Sequence, residues 1–386
     1  MTIAVQFKNI SKTYNKSIVL RNVDFAVEMG DFAVVYGLPA SGKSVLMRLL
    51  MGLEKPTQGE IWLRGRDMSH IGPGERNIGY VPQSFALYPH LSVYDNIAYP
   101  LKMTKAPAQE TDASVKEIAR LLKIERLLDK KPDQISGGQK QRVAIARGLV
   151  KRTDIYVLDD PLAGLDFKLR EQLIDDLKQL QREFGMTFLY TTSDPIESLS
   201  LAKHIAILDG GSIVEFGEPE TLYAEPRHLR TMELLGFPNA NALSASCYAQ
   251  AGETWCDAGL FQFPLRFDHK ADAGAIGESV TVCFRPEHLH ILDNRTGEDA
   301  ITIPCSLALR EDLGGEEIVY LETNGQGGAN GIDSEGGILL TTVVRHEGYE
   351  MVADVKQASL DPAQLFVFSS RTGKRIGKGG ALACQP

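Results

Sequence analysis

Cysteine is scarce in this chain, with five among 386 residues. Cys247, Cys256, Cys283, Cys305 and Cys384 are scattered without CxxC spacing. That pattern argues against a zinc site and a disulfide framework, and leaves them as small core residues or exposed thiols. Positive charge is also short: 41 Lys and Arg against 50 Asp and Glu give a net charge of −9. Such a balance disfavours a nucleic-acid-binding surface, because neutralising phosphates takes clustered cations. No apolar run approaches the roughly 18 residues of a membrane span. The opening MTIAVQFKN has neither the charged start nor the apolar stretch of a secretion signal. The expectation is a chain that stays in the cytoplasm and is able to dock on a membrane protein. What is present suffices for two or three ordinary domains, since 43% of the residues are hydrophobic.

To about residue 236 the chain alternates β-branched runs with helical stretches: DFAVVYG, KSVLMRLLMGL, IYVLDD, LREQLIDDLKQLQREFG, TFLYTTS and ESLSLAKHIAIL. Strand and helix in alternation predict a parallel sheet covered by helices. Residues 107–153 interrupt the alternation with two amphipathic runs, VKEIARLLKIERLL and GQKQRVAIARGLVK, which read as a helical insertion. After GFPN (236–239) glycine-rich turns separate short runs such as VTVCF, IPCSLAL, EIVYLE, ILLTTVV and MVADV, the texture of a small β-barrel or sandwich. The stretch 322–337 is glycine-rich and is expected to form a mobile hairpin loop. The tail TGKRIGKGGALACQP is expected to fray, with its basic residues, Arg371 to Lys378, as a solvated surface.

Gly37, Leu38, Pro39, Ala40, Ser41, Gly42, Lys43 and Ser44 satisfy GxxxxGK[ST] directly after a predicted strand and before a predicted helix. Glycines let backbone N–H groups approach phosphates, and the helix N-terminus favours their charge. Lys43 reaches the β- and γ-phosphates and Ser44 ligates Mg²⁺, so ATP and Mg²⁺ are the expected cofactors. Asp159, at the end of the apolar run IYVLD, stands where such proteins hold the metal. The plainer alternative is a helix cap, which suits Asp160 or Asp166 as well.

Ser136, Gly137, Gly138 and Gln139 open another helix with two glycines, a second N-terminus suited to approaching phosphate. Together with the Gly37–Ser44 loop and the acids at 159 and 160, this SGGQ resembles the ATP-binding cassette (ABC) family. The resemblance implies an α/β P-loop NTPase core with a helical subdomain, followed by an all-β OB-like domain. It divides the chain into a nucleotide-binding domain at 1–236, with the helical subdomain at about 84–153, and a regulatory β domain at 237–386. It implies head-to-tail pairing, in which each signature motif caps the nucleotide of the partner. By the same resemblance Tyr14 in SKTYNK stacks on adenine, Gln83 touches Mg²⁺ and couples to membrane subunits, and Asp166 is the D-loop acid. Without those motifs Tyr14 reads as a strand-end tyrosine and Gln83 as a loop glutamine.

QSFALYPHLSVYDNIAYPLK, ISGGQKQRVAIARGLV and DDPLAGLDFKLR are similar to the branch that energises importers of sugars, polyols and glycerol phosphate. FRPEHLHI, EDLGGE and FSSRTGKRI resemble phrases of its C-terminal domain. Membership implies transmembrane permease partners, an external substrate-binding protein and a place at the cytoplasmic face of the membrane. Phe85, Tyr88, Leu91 and Tyr94 are then expected to form a docking groove, with local core packing as the alternative.

Three positions depart from the family. Asp160 stands where glutamate usually positions the attacking water, and it is one methylene short. A displacement of about 1 Å in a positioned group costs on the order of a hundredfold in rate. Ser193 replaces the switch histidine, and Val45 replaces a hydroxyl residue after Ser44. The expectation is a subunit that binds MgATP, hydrolyses it poorly in its own site and pairs with a second, competent ATPase. The alternatives are an active homodimer and a non-hydrolysing ATP sensor.

Overall fold

The computed structural model describes residues 2–84, 87–269, 272, 274, 276–291, 300–323, 337–345 and 355–381. Phe85, most of the 322–337 stretch, most of MVADV and Cys384 lie outside them. The chain separates into two compact units, Met1–Thr221 and Leu222–Pro386.

The first unit is built on a six-stranded sheet. Its order is Ser212–Gly217, His204–Asp209, Phe32–Tyr36, Thr187–Thr192, Ile155–Asp159, Gly79–Val81, parallel except for the first, edge strand. Phe32–Tyr36, Ile155–Asp159 and Thr187–Thr192 are buried at every position. Such continuous burial belongs to central parallel strands with both faces covered. A second, antiparallel sheet of Ser17–Glu28, Ile3–Tyr14, Gln58–Leu63 and Arg66–Asp67 was not foreseen from the sequence. One core cluster joins Val5 and Phe7 of this sheet, Leu46 and Leu50 of the helix Lys43–Met51, and Val157 and Leu189 of the parallel sheet. The helix after the phosphate loop is thus packed against both sheets.

Three expectations about local structure are corrected. The tail does not fray throughout, since Arg375–Gly379 is a strand whose Arg375 pairs with Glu225 and Asp268. ESLSLAKHIAIL is not one helix: Pro195–Leu201 is helical and His204–Asp209 is a strand, because the β-branched run is a buried member of the sheet. VKEIARLLKIERLL is not continuous either. The helix Ala108–Leu121 stops before Lys123, whose φ of 58° is left-handed, and only a single 3₁₀ turn, Glu125–Leu127, follows. A further helix, Val93–Met103, precedes the 107–153 stretch within the helical subdomain that also holds Gly137–Leu149.

In the second unit, Asn241–Gln250, Glu253–Asp257, Gln262–Phe267, Arg375–Gly379, Phe366–Ser369 and Ser279–Phe284 close into a six-stranded antiparallel barrel. Two three-stranded sheets accompany it. The sequence texture changes at 236/237, whereas compactness places 222–236 with the barrel. Arg285, 1% exposed, explains this by donating to the carbonyls of Met232 and Tyr223, each at 3.1 Å, and of Leu235. Cys247, Cys256 and Cys283 are buried.

Candidate nucleotide site

The strand Phe32–Tyr36 delivers the chain into the loop 37–42, and the helix Lys43–Met51 leaves it. Gly37 has no room for a side chain, since a Cβ there would lie 2.3 Å from the Leu208 carbonyl oxygen. Gly42 adopts φ 108°, a region closed to ordinary side chains. Leu38, Pro39 and Ala40 form the exposed rim. Lys43 is buried and turns its ammonium inward, donating to the carbonyls of Gly37 at 2.6 Å and Leu38 at 3.1 Å. Burial lowers its pKa, and the Asp160 and Asp159 charges oppose that shift. The Ser41 hydroxyl is buried within the loop with no hydrogen-bond partner.

Asp159 ends its strand 6% exposed. One of its oxygens accepts from Ser44 Oγ at 3.1 Å and from Thr191 Oγ1 at 2.8 Å. It caps no helix. Asp166 does so instead, accepting from the Leu169 N–H at 3.0 Å to start the helix Phe167–Phe184. Asp160 sits at φ 46°, an uncommon region that Asp tolerates. Its N–H is held by Thr191 Oγ1 at 2.9 Å, and its carboxylate accepts from Gln83 Nε2 at 3.2 Å. Burial raises the Asp160 pKa, with Lys43 pulling it back and Asp159 pushing it further. Thr191 therefore serves both acids, a role not evident from the sequence.

The segment holding Ser193 is fixed by its neighbours. Thr192 Oγ1 and Tyr190 Oη donate to the buried Glu197 carboxylate at 2.8 and 2.7 Å. Arg170 holds Asp194 at 2.6 Å and donates to the Leu165 carbonyl at 3.2 Å, linking this segment to the loop before Asp166. Val45 packs against the hydrophobic core.

Gly37, Lys43, Ser44, Gln83, Asp159 and Asp160 thus converge. Ser136, Gly137, Gly138 and Gln139 do not join them: among the described residues no hydrogen bond or ion pair links the two groups. Ser136 and Gln139 instead form a reciprocal capping box at the start of Gly137–Leu149, at 3.4 and 3.0 Å. A Cβ on Gly138 would strike Leu169, whereas one on Gly137 would meet nothing within 4 Å. Tyr14 is likewise apart from the phosphate loop, its hydroxyl donating to Glu54.

Tyr88 packs locally on Tyr99 at 4.6 Å between centroids, and Asn96, fully buried, donates to the carbonyls of Tyr88, Leu91 and Ser92. Leu91 and Tyr94 remain partly exposed.

The residues fit a nucleotide with a hard divalent cation. The loop carries a buried lysine, an unpartnered hydroxyl and close-approach glycines, and the hydroxyl of Ser44 lies beside one carboxylate. Among the described residues no three His, Cys, Asp or Glu side chains cluster as a metal cage. Mg²⁺ needs none, since it is commonly held by one or two carboxylates and substrate phosphates.

Residues 20–163 match the family described as ABC transporter. The trehalose/maltose import ATP-binding protein MalK of Thermococcus litoralis is 32% identical over 382 residues, 96% of this chain and 99% of that protein. The sn-glycerol-3-phosphate import ATP-binding protein UgpC of Ruegeria sp. is 33% identical over 377 residues, 97% of this chain and 99% of that one. Among solved structures, a dimeric ATP-binding cassette in a post-hydrolysis state bound to ADP and Pi is similar with a TM-score of 0.51 and 31% identity, over 56% of this chain and 98% of that one. This chain belongs to the ABC transporter family, as an ATP-binding ATPase subunit of an importer with a C-terminal β domain.

Proposed function

We propose that this subunit binds MgATP at Lys43, Ser44 and Asp159 and drives uptake of a sugar, polyol, glycerol or glycerol phosphate. It works with permease subunits at the cytoplasmic face of a membrane and, through them, with an external binding protein. Its own site turns over slowly, while Ser136–Gln139 complete the site of a second, competent ATPase subunit. The names of the relatives, import proteins for trehalose/maltose and for sn-glycerol-3-phosphate, support the substrate class. When bound there, Mg²⁺ would supply charge neutralisation at the phosphates. Lys43 and the loop N–H groups bind and orient the phosphates, and Ser44 and Asp159 supply oxygens to the metal.

The observation that carries the slow-site reading is the Asp160 carboxylate. It is one methylene shorter than glutamate and already engaged by Gln83 at 3.2 Å. Ser193 offers a short neutral hydroxyl where an imidazole would reach further. The test uses the assembled transporter. Asp160→Asn is expected to leave ATP turnover within about twofold, while Gly137→Asp lowers it by more than about tenfold. Because a Cβ on Gly137 meets nothing within 4 Å among the described residues, that loss reports a surface used by another molecule. Loss of turnover in Asp160→Asn overturns the slow-site reading.

A second reading is an active homodimer, in which the Asp160 carboxylate, placed directly after the strand and held by Gln83 at 3.2 Å, serves as the proton acceptor. ATPase activity of the purified chain well above that of Lys43→Ala would favour this reading.

A further inference from the structure

Tyr14 ends the strand Ile3–Tyr14 and is 37% exposed. The turn that follows, Asn15 and Lys16, has φ of 44° and 90°. A ring half in water at a hairpin end is free to change rotamer, and a mobile platform loses much of its value to a ligand that must order it. The structure supplies a holder from elsewhere in the sequence. The Tyr14 hydroxyl donates to Glu54 Oε2, and Lys12 Nζ lies 3.3 Å from the same oxygen. The other oxygen, Oε1, accepts from Arg48 Nε at 2.7 Å. Lys12 Nζ also donates to the Lys55 carbonyl at 2.8 Å and stands 4.8 Å from the Tyr14 ring centroid. Arg48 belongs to Lys43–Met51, the helix that opens with Lys43 and Ser44. A single carboxylate therefore connects the helix of the phosphate loop to the exposed ring.

We propose that Glu54 is a positioning residue for nucleotide recognition, fixing the Tyr14 ring as a platform for the base of ATP. The proposal rests on the reading of Tyr14 as the base-stacking side chain. Glu54 touches no part of the nucleotide itself. It acts through Tyr14, and its ties to Arg48 and Lys12 set the ring in register with the phosphate loop. An ordinary surface ion pair, worth little, would leave base affinity untouched, which is how the two roles separate.

The test is calorimetric titration of the full-length chain with ATP and, separately, with inorganic triphosphate, both with Mg²⁺. Tyr14→Ala is expected to weaken ATP about tenfold or more, the loss of a stacked base. Tyr14→Phe and Glu54→Ala should each weaken ATP about three- to tenfold, and the double variant no more than the worse single one, because both break one tie. Triphosphate affinity should stay unchanged in all four. If Tyr14→Ala leaves ATP affinity intact, the stacking assignment beneath the proposal fails. If it weakens ATP while Tyr14→Phe or Glu54→Ala does not, stacking stands and the positioning role is wrong. Additive single effects, or equal losses for ATP and triphosphate in Glu54→Ala, also overturn it, since Glu54 would then act apart from Tyr14.

Discussion

The two compact units bury charge for different purposes. In the second, the Arg285 donors go to three backbone carbonyls and its guanidinium lies 3.9 Å over the Tyr223 ring. That arrangement staples 222–236 to the barrel. In the first unit Lys43, Asp159 and Asp160 act on one another beside the phosphate loop, while Glu197 is buried against Tyr190 and Thr192. Burial pushes the Asp160 and Glu197 carboxyls up and the Lys43 ammonium down. Charges held against one another beside an unpartnered Ser41 hydroxyl mark a place built for something outside the protein. Arg285, spent on the carbonyls of 222–236 and on the Tyr223 ring, is instead a structural device.

The sharpest way to break this contrast is to remove one charge from each unit. Lys43→Ala should weaken MgATP binding by more than about a hundredfold in titration, with little change in thermal unfolding, because the phosphate contact is lost while the fold is kept. Arg285→Met should do the reverse. It is expected to cost about 3 kcal/mol in denaturant unfolding of the second unit, since several buried carbonyls lose their donor, with nucleotide affinity unchanged. If Arg285→Met altered ATP affinity without altering stability, the distinction would collapse. Thr191→Val comes next in size: it removes the donor to Asp159 and the side-chain acceptor of the Asp160 N–H. Nucleotide binding with Mg²⁺ should weaken severalfold, and binding with EDTA should hardly move.

The smallest expected effect is a pH dependence at Glu54. Its carboxyl is pulled down to about 2, first by the Tyr14 hydroxyl and further by Arg48 and Lys12. The folded chain thus binds this proton less readily than the unfolded one. The stabilisation is present in full above the ordinary value of 4.5 and fades as pH falls from there towards 2. The difference in melting temperature between Glu54→Ala and the unaltered chain should therefore be visible at neutral pH and shrink in acid.

Much of the candidate nucleotide site was legible in the sequence because its chemistry is local. Gly37–Ser44 must sit between a strand and a helix, so eight consecutive residues announce loop, lysine and hydroxyl together. A helix cap was a reading open at Asp159, Asp160 and Asp166 alike, and the structure gives it to Asp166. The contacts that complete the site are long-range. Thr191 reaches Asp159 across 32 positions and Glu54 reaches Tyr14 across 40, and no periodicity marks either pair. The antiparallel sheet escaped for the same reason, since Ile3–Tyr14 pairs with Gln58–Leu63 far along the chain. The run ESLSLAKHIAIL misled because a short helix and a buried strand abut with only two residues between them. In the second unit the short β-branched runs announced strands, but barrel closure depends on Gln262–Phe267 meeting Arg375–Gly379 more than a hundred residues on.

We propose that residues 160 and 193 limit hydrolysis in this subunit's own site while nucleotide binding remains intact. The direct measurement is single-turnover ATP cleavage by the assembled transporter carrying Asp160→Glu with Ser193→His, in a background where the partner ATPase is inactivated. A rise of about tenfold or more over the unaltered chain is expected, at equal ATP affinity. Rapid cleavage by the unaltered chain in that background, with no gain from the double substitution, would contradict it.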